Sequence, residues 1–458
     1  MPFSASSNSV NSLLRIFLNL CRLVLSLTLI LSGFVKAIDP LGTQYKIQDY
    51  LTAIGMGGAL PDWATLSASV ALSATEFCLG IFLLFAMHRR TVTKLTVALM
   101  SVMTIISLWL WIANPISDCG CFGDALVLTN GQTLAKNVVL LVCAVLLCIW
   151  PLSMVRLISR TNQWIVINYT LLFIIAVSLW CLYDLPLFDF RPYHEGADIR
   201  AGMELPDSAV QPQFETKFIL EKDGERRTFT LEDYPDSTWT FIDSETVQIS
   251  EGDIPPIHDF SITRIEDGED ITDMVIDEPG YTFLLISPTL EDASDGDFGE
   301  IDQIYEYCED NGYQFYCLTS SGESAIERWR DLTGAEYPFC STDGTTLKTI
   351  IRSNPGLLLL HGGKVVRKWS HNFLPDATQL TERLEDSEIG QPPTRTATGK
   401  IATILSWFVF PLLALTIADR LWAWTRRLMP KRARKARKTE DAGKSGETGE
   451  TGNHLERE

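Results

Sequence analysis

Six long apolar segments decide what this chain can become. A spanning helix needs ~20 apolar residues to cross a hydrocarbon core of ~30 Å. The stretches that qualify are Leu13 to about Val35, Ala64 to Met87, Leu95 to Ala113, Asn137 to Val155, Trp164 to Tyr183 and Ile401 to Trp424. The first is longer than the apolar run of a cleaved signal peptide, usually ~7–15 residues. Lys36-Ala37-Ile38-Asp39-Pro40 also makes a poor small-residue cleavage site, so this segment reads as a retained helix.

The rest of the chain is a different material. Residues 190–397 are dense in Asp and Glu and carry most of the net charge of −19. Affinity for nucleic acid depends on clustered Lys and Arg, so a polynucleotide partner is excluded. The one basic run, Lys431 to Lys438, directly follows the last apolar segment, a position that suits anionic lipid. His258, His361 and His371 show no metal-ligand spacing. The acidic runs Glu266 to Asp270 and Glu291 to Asp297 lack the regular spacing of a calcium loop. No metal is expected.

Orientation follows from the short loops. Arg89, Arg90 and Lys94 lie between the second and third segments, and Arg156 and Arg160 between the fourth and fifth. Arg426, Arg427 and Lys431 to Lys438 follow the sixth. All three clusters fall on the cytoplasmic side if both termini do. The loops at 37–63 and 114–136 and the acidic domain then lie outside, at a bacterial inner membrane.

The expected organisation is a four-helix membrane domain at 1–160, a fifth helix within 161–189 and an acidic short-strand region at 190–255. An α/β domain at 256–386, a linker at 387–400 and a sixth helix at 401–424 follow. A basic, then low-complexity tail closes the chain at 425–458. Tyr45 to Gly55 reads as an interfacial helix. Short strands are expected at Gln213–Leu220, Arg227–Leu231 and Trp239–Ile242. After Ile257 the rhythm becomes strand (His258–Ile265), strand (Tyr281–Ile286), helix (Phe298–Asp310), strand (Tyr313–Leu318) and helices at Ser324–Thr333 and Leu347–Arg352. A hairpin of Leu357–His361 and Val365–Trp369 ends the series, which implies a mixed sheet covered by helices.

The residues with chemistry to offer begin with Cys119 and Cys121, in Asp118-Cys-Gly-Cys-Phe-Gly-Asp124 on the outer side. Disulfides persist in such compartments. A Cys-x-Cys pair closes on itself only through a strained ring, and strain makes a disulfide easier to reduce. Alternatively each sulfur pairs elsewhere, with Cys181 within the candidate set, or the loop is simply structural. Glu76 lies near mid-depth of the second segment, where an ionisable group is costly and a functional candidate by default. It either accepts a proton in quinone or thiol chemistry or makes a structural hydrogen bond to a neighbouring Ser or Thr. Cys21, Cys78, Cys143 and Cys148 read as small residues at helix contacts.

The stretch Asp118-Cys-Gly-Cys-Phe-Gly-Asp-Ala-Leu126, followed by Gln132-Thr133 and Lys136-Asn137, resembles the MauE branch of the DoxX-like membrane proteins. Gly33-Phe-Val-Lys36-Ala-Ile-Asp39-Pro40 and Glu76 fit the same pattern, and the resemblance covers roughly residues 14–155. It implies a four-helix fold named for methylamine utilisation and associated with periplasmic disulfide formation during maturation of methylamine dehydrogenase. Residues 254–386 resemble a thioredoxin-like fold of the TlpA or peroxiredoxin kind. The resemblance rests on Ile257-His-Asp-Phe260, Tyr281-Thr-Phe-Leu-Leu-Ile286 and Asn354-Pro355-Gly356-Leu-Leu-Leu-Leu360, where the proline is expected to be cis. The chain departs from that family where Cys-x-x-Cys should follow the first central strand and Ser287-Pro-Thr-Leu-Glu-Asp292 stands instead. Cys317 and Cys340 are expected either to pair as a disulfide or to be buried thiols, with Cys308 left over.

The expected fold is therefore an α-helical polytopic membrane bundle, a four-helix DoxX-like core plus two further helices, carrying a thioredoxin-like extracytoplasmic domain without its thiols. The expected role is a redox accessory protein whose Cys119 and Cys121, with Glu76, exchange electrons with quinone in the bilayer or with a periplasmic protein client. A non-enzymatic assembly or binding protein with structural cysteines is the rival. The topology is directly testable. Alkaline phosphatase fused after residue 300 should be active, whereas activity there of a reporter confined to the cytoplasm would invert the scheme.

Overall fold

The computed structural model describes residues 4–116, 120, 122–205, 213–222, 225–229, 240–250, 255–393 and 397–428. It divides into two compact units, Met1–Leu182 with Arg395–Glu458, and Tyr183–Thr394.

The first unit is helical: α1 (Ser4–Ile38), α2 (Pro40–Ala53), α3 (Asp62–Leu84), α4 (Arg89–Ala113), α5 (Asn130–Ile149), α6 (Gln163–Tyr183) and α12 (Ala397–Leu428). Among the described residues, six of the helices are long and apolar enough to cross a membrane, and α2 is the short helix expected between the first two apolar segments. Asp39 starts α2 by accepting a 2.8 Å hydrogen bond from the Gly42 amide. This side-chain capping satisfies one of the free N–H groups of the first turn.

Helices in lipid gain little from hydrophobicity and associate where small residues let backbones approach. Gly33 on α1 and Gly80 on α3 do this here. A Cβ at Gly33 would stand 2.4 Å from the Phe77 amide nitrogen, and one at Gly80 would stand 2.8 Å from that of Ile30. Phe77 then joins Phe173 of α6 and Phe408 of α12, with ring centroids 5.2 Å (Phe77–Phe408) and 4.4 Å (Phe173–Phe408) apart. The far ends of α6 and α12 are tied by the buried Asp419 carboxylate. It accepts from the Ser159 amide at 2.8 Å, the Ser159 hydroxyl at 2.6 Å and Asn162 at 2.8 Å.

In the second unit a three-stranded antiparallel sheet, order β2-β1-β3, is built from β1 (Gln213–Lys222), β2 (Glu225–Phe229) and β3 (Thr240–Ser250). The six-stranded sheet has the order β4-β7-β6-β5-β8-β9, from β4 (Thr263–Arg264), β5 (Tyr281–Ser287), β6 (Gln314–Thr319), β7 (Phe339–Ser341), β8 (Gly356–His361) and β9 (Lys364–Ser370). Strands β7, β6 and β5 run parallel, whereas β8 and β9 are antiparallel to their neighbours. The Asn354–Pro355 bond leading into β8 is cis. This is the mixed sheet, covered by helices, that the sequence implies. The helices are α7 (Ile199–Met203), α8 (Thr272–Ile276), α9 (Phe298–Asn311), α10 (Glu323–Thr333) and α11 (Gly344–Ile350). Parallel pairing of β5 and β6 needs a long crossover, which α9 supplies.

Strand β5 is buried on both faces, so it reads as an unbroken apolar run. Phe283 and Leu285 face a core with Ile301, Ile304 and Trp329. Leu284 and Ile286 face another with Ile257, Val275 and Leu347. Each such side chain contributes roughly 1.5–3 kcal/mol on burial. The strand expected at His258–Ile265 shrinks to two residues because its backbone is engaged elsewhere. The Ile257 amide donates to the Gly202 carbonyl at 3.0 Å, and the Ile262 amide donates to the Thr272 hydroxyl at 2.8 Å. The segment expected as linker from 387 is packed as far as Gln391. Ile389 is in the first core, and Arg367 donates to the Gln391 carbonyl at 3.0 Å.

A buried charge cluster closes the start of this unit. Asp189 accepts from Arg191 at 2.7 Å and from Lys368 at 2.8 Å. Burial alone would raise the Asp189 carboxyl, but Lys368 and Arg191 outweigh it and hold it down at about 2. Burial pulls the Lys368 ammonium down to about 8 against the attraction of Asp189, and the neighbouring Arg191 adds to the effect.

The expected Cys317–Cys340 disulfide is not made; both are buried thiols. The register explains why. Cys317 stands opposite Phe339, and Cys340 stands opposite Leu318, so the two sulfurs face opposite sides of the sheet. Cys317 lies in one core and Cys340 in the other. Alkylation of the unfolded chain without reductant should therefore label both cysteines. Recovery of a peptide cross-linked between them would contradict this register.

Candidate functional site

Cys119 and Cys121, with Ser117 and Asp118, lie outside the described residues, but the frame around them is defined. Helix α4 ends at Ala113, and Asn114 adopts a left-handed conformation with φ +43°. Asn130, at the start of α5, donates to the Asn114 side chain at 2.9 Å and to the Ile116 carbonyl at 2.8 Å, which closes the base of the loop. Helix α5 opens with a reciprocal cap. Thr129 accepts from the Gln132 amide, and Gln132 accepts from the Thr129 amide.

Two lysines meet this loop from different helices. Gly120 has φ +61°, a conformation only glycine adopts freely. Its open side is filled by Lys46 of α2, since a Cβ at 120 would stand 3.1 Å from Lys46 Cγ. Phe122 is buried at 6 % exposure, and the Lys136 ammonium of α5 sits 4.3 Å from its ring centroid. A cation over an aromatic face is worth ~0.5–2 kcal/mol, so Lys136 helps hold Phe122 in place. Lys46 carried no signal in the sequence, because it is remote from the cysteines along the chain and α2 alone brings it back.

Glu76 is 1 % exposed and is fully engaged. Lys36 on α1 reaches its Oε1 at 2.7 Å and Oε2 at 2.8 Å. The Ser32 hydroxyl, one turn before Lys36, donates to Oε2 at 2.7 Å. The hydrogen bond to a neighbouring serine expected of Glu76 is present, and sequence reasoning missed the cation beside it. A buried carboxylate demands a partner, and Lys36, at the end of the adjoining apolar segment, was the available signal. The same helix end touches the loop: a Cβ at Gly123 would lie 3.4 Å from Val35.

The loop after β5, where the sequence resemblance would place Cys-x-x-Cys, holds no thiol. After β5, Ser287 donates to the Asn354 side chain at 2.7 Å, and Asn354 donates to the Thr289 carbonyl at 2.8 Å. The Ser294 amide donates to the Asn354 carbonyl at 3.0 Å. The loop's polar groups thus bond to one another. The thiols of this unit are suppressed as well. Burial raises Cys308 and Cys317 far above the range where thiolate forms and pushes Cys340 up to about 12. Thiolate is the reactive species, so these three sulfurs are inert near neutrality.

Residues 14–150 match the family of the methylamine utilisation protein MauE, and residues 214–251 match a domain of unknown function, DUF8463. No curated protein matches. Among solved structures the chain is similar to the solution structure of a candidate protein disulfide isomerase from Bacteroides thetaiotaomicron. The identity is 18 % and the TM-score 0.22, over 25 % of this chain and 76 % of that one.

The buried pair gives a clear mutational expectation. Lys36→Met leaves Glu76 uncompensated, a loss of about 3–5 kcal/mol for a broken buried pair. It should lower the thermal midpoint of the detergent-solubilised protein sharply. Lys36→Met combined with Glu76→Leu should recover most of that loss. A single variant as stable as wild type would show that the pair does not hold α1 to α3.

Proposed function

We propose that this chain is a membrane-embedded thiol–disulfide accessory protein whose working sulfurs are Cys119 and Cys121. The observation that carries the reading is a Cys-Gly-Cys sequence in a short loop framed by lysines, within the segment that matches the MauE family. In the oxidising direction, a client thiolate attacks a loop disulfide to give a mixed disulfide and one free loop thiol, and a second client thiolate then displaces the other loop sulfur, leaving the client disulfide-bonded and the loop as a dithiol. Transfer of two electrons and two protons from that dithiol to a quinone in the bilayer regenerates the loop disulfide and yields quinol. Glu76, engaged by Lys36 and Ser32, is read as an anchor for the outer end of α1, and its role as a proton acceptor is the less favoured alternative. The three basic clusters in the loops support an extracytoplasmic position for the cysteines and the acidic unit, at an inner membrane.

A second reading has its own support. The thioredoxin-like unit carries inert thiols and a self-bonded loop where its family places the reactive pair, which suits a docking or assembly role. The two readings divide on one experiment. Cys119→Ser or Cys121→Ser should abolish complementation of a deletion strain, while Cys78→Ser and Cys143→Ser should not, with oxidation state followed by alkylation. Full complementation by the double Cys119/Cys121 serine variant would leave the assembly role standing alone.

A further inference from the structure

We propose that a cleft between the start of α4 and the end of α5 is a lipid site, in which Arg90 and Lys94 hold the phosphodiester of an acidic glycerophospholipid beside Trp150. The site is separate from the cysteine loop, which joins the opposite ends of the same two helices, and from the basic run that follows α12. The cleft has a volume of about 450 Å³, and Arg90, Lys94, Cys148, Trp150 and Leu152 are among the residues that line it. Its shape is set by other arginines. Arg89 donates to the Leu152 carbonyl at 2.9 Å and to the Met154 carbonyl at 2.7 Å. Arg22 of α1 donates to the Val155 carbonyl at 2.7 Å. Those two side chains hold the loop after α5 in place. Arg90 and Lys94 have no such task. Both are exposed, and among the described residues neither side chain makes a hydrogen bond or ion pair.

The two cations lie one helical turn apart on the same face of α4, and no carboxylate on either helix offsets them. Neither Asp nor Glu occurs from Phe77 to Ser117 or from Ala125 to Tyr183. Asp419, which meets the loop after α5, is taken up by Ser159 and Asn162. Arg90 also stands in the first turn of α4, where the helix dipole is positive and a cation is disfavoured. No side chain caps that turn. An anion in the cleft relieves the repulsion and suits the helix end. The apolar surroundings identify a lipid as its carrier. Ile149 and Leu152 are 58 % and 64 % exposed, and Val142, Val145 and Ile149 form an exposed stripe along α5 at helical spacing. A hydrocarbon chain can follow that stripe while its headgroup stays at the cleft, at the depth where tryptophan is favoured. Basic pockets between spanning helices are suited to acidic lipid headgroups.

Cys148 lines the cleft and reports on its occupancy. Full-length protein is delipidated in detergent, and alkylation of Cys148 by N-ethylmaleimide is read by peptide mass spectrometry as phosphatidylglycerol is added. Phosphatidylglycerol should protect Cys148 to saturation, and phosphatidylcholine should protect it far less. In the variant carrying Arg90→Gln and Lys94→Gln, the midpoint of protection should rise ~30-fold, roughly fivefold for each basic residue at an anionic lipid surface. A variant carrying Arg15→Gln and Arg160→Gln loses the same number of charges outside the cleft and should keep the wild-type midpoint. Lipid held by the basic run after α12 does not register at Cys148. Equal protection by the two lipids, an equal shift in the two double variants, or a Cys148 that fails to react in lipid-free protein would overturn the proposal. Inorganic phosphate at the concentration of the lipid should give no protection; protection by it would assign the cleft to a free anion and overturn the lipid assignment. Should the cleft variant fail to fold, Lys94→Gln alone decides, with an expected shift of roughly fivefold; an unshifted midpoint overturns the proposal.

Discussion

A carboxylate cannot stay bare among apolar helices, and in this protein the answer to that constraint organises the helical unit. Glu76 takes Lys36 and Ser32 from α1, and the geometry requires α1 and α3 to touch backbone to backbone. Gly33 and Gly80 make that contact available. The pair therefore does more than neutralise charge. It fixes the C-terminal end of α1, from which Asp39 launches α2 and against which Gly123 rests. The position of Lys46 beside Gly120 follows from these placements in turn. A buried ion pair adds little net stability over a well-packed apolar substitute, yet breaking it by removing one partner is costly.

The α/β unit solves a different problem. Its central strand is covered on both faces, and two cores flank the sheet. Serine, threonine and asparagine bond to one another at the loop after β5, and the cysteines sit where burial keeps them protonated.

Much of this was legible residue by residue. The apolar segments follow from composition and length because hydrocarbon allows few alternatives. Strands β5, β6, β8 and β9 and helices α9 and α10 were visible as buried runs and amphipathic periods between turn residues. Strand β4 was overestimated, since the fate of its amides depends on Gly202 and Thr272, which local sequence does not announce. The start of the linker was misplaced for a similar reason: Ile389 is apolar enough to join the core, but its neighbours read as loop.

At the candidate site the division is sharper. By itself the sequence determined the cysteine pair, the glycine between them, the helix that follows and the need for Glu76 to find a partner. Each is a property of residue type and of neighbours along the chain. Only the tertiary structure decided that Lys36 is that partner, that Lys46 lies against Gly120, and that Cys317 and Cys340 face away from each other. Those are relations between distant residues. They are set by helix packing and by strand register, where a shift of one residue turns a side chain to the opposite face.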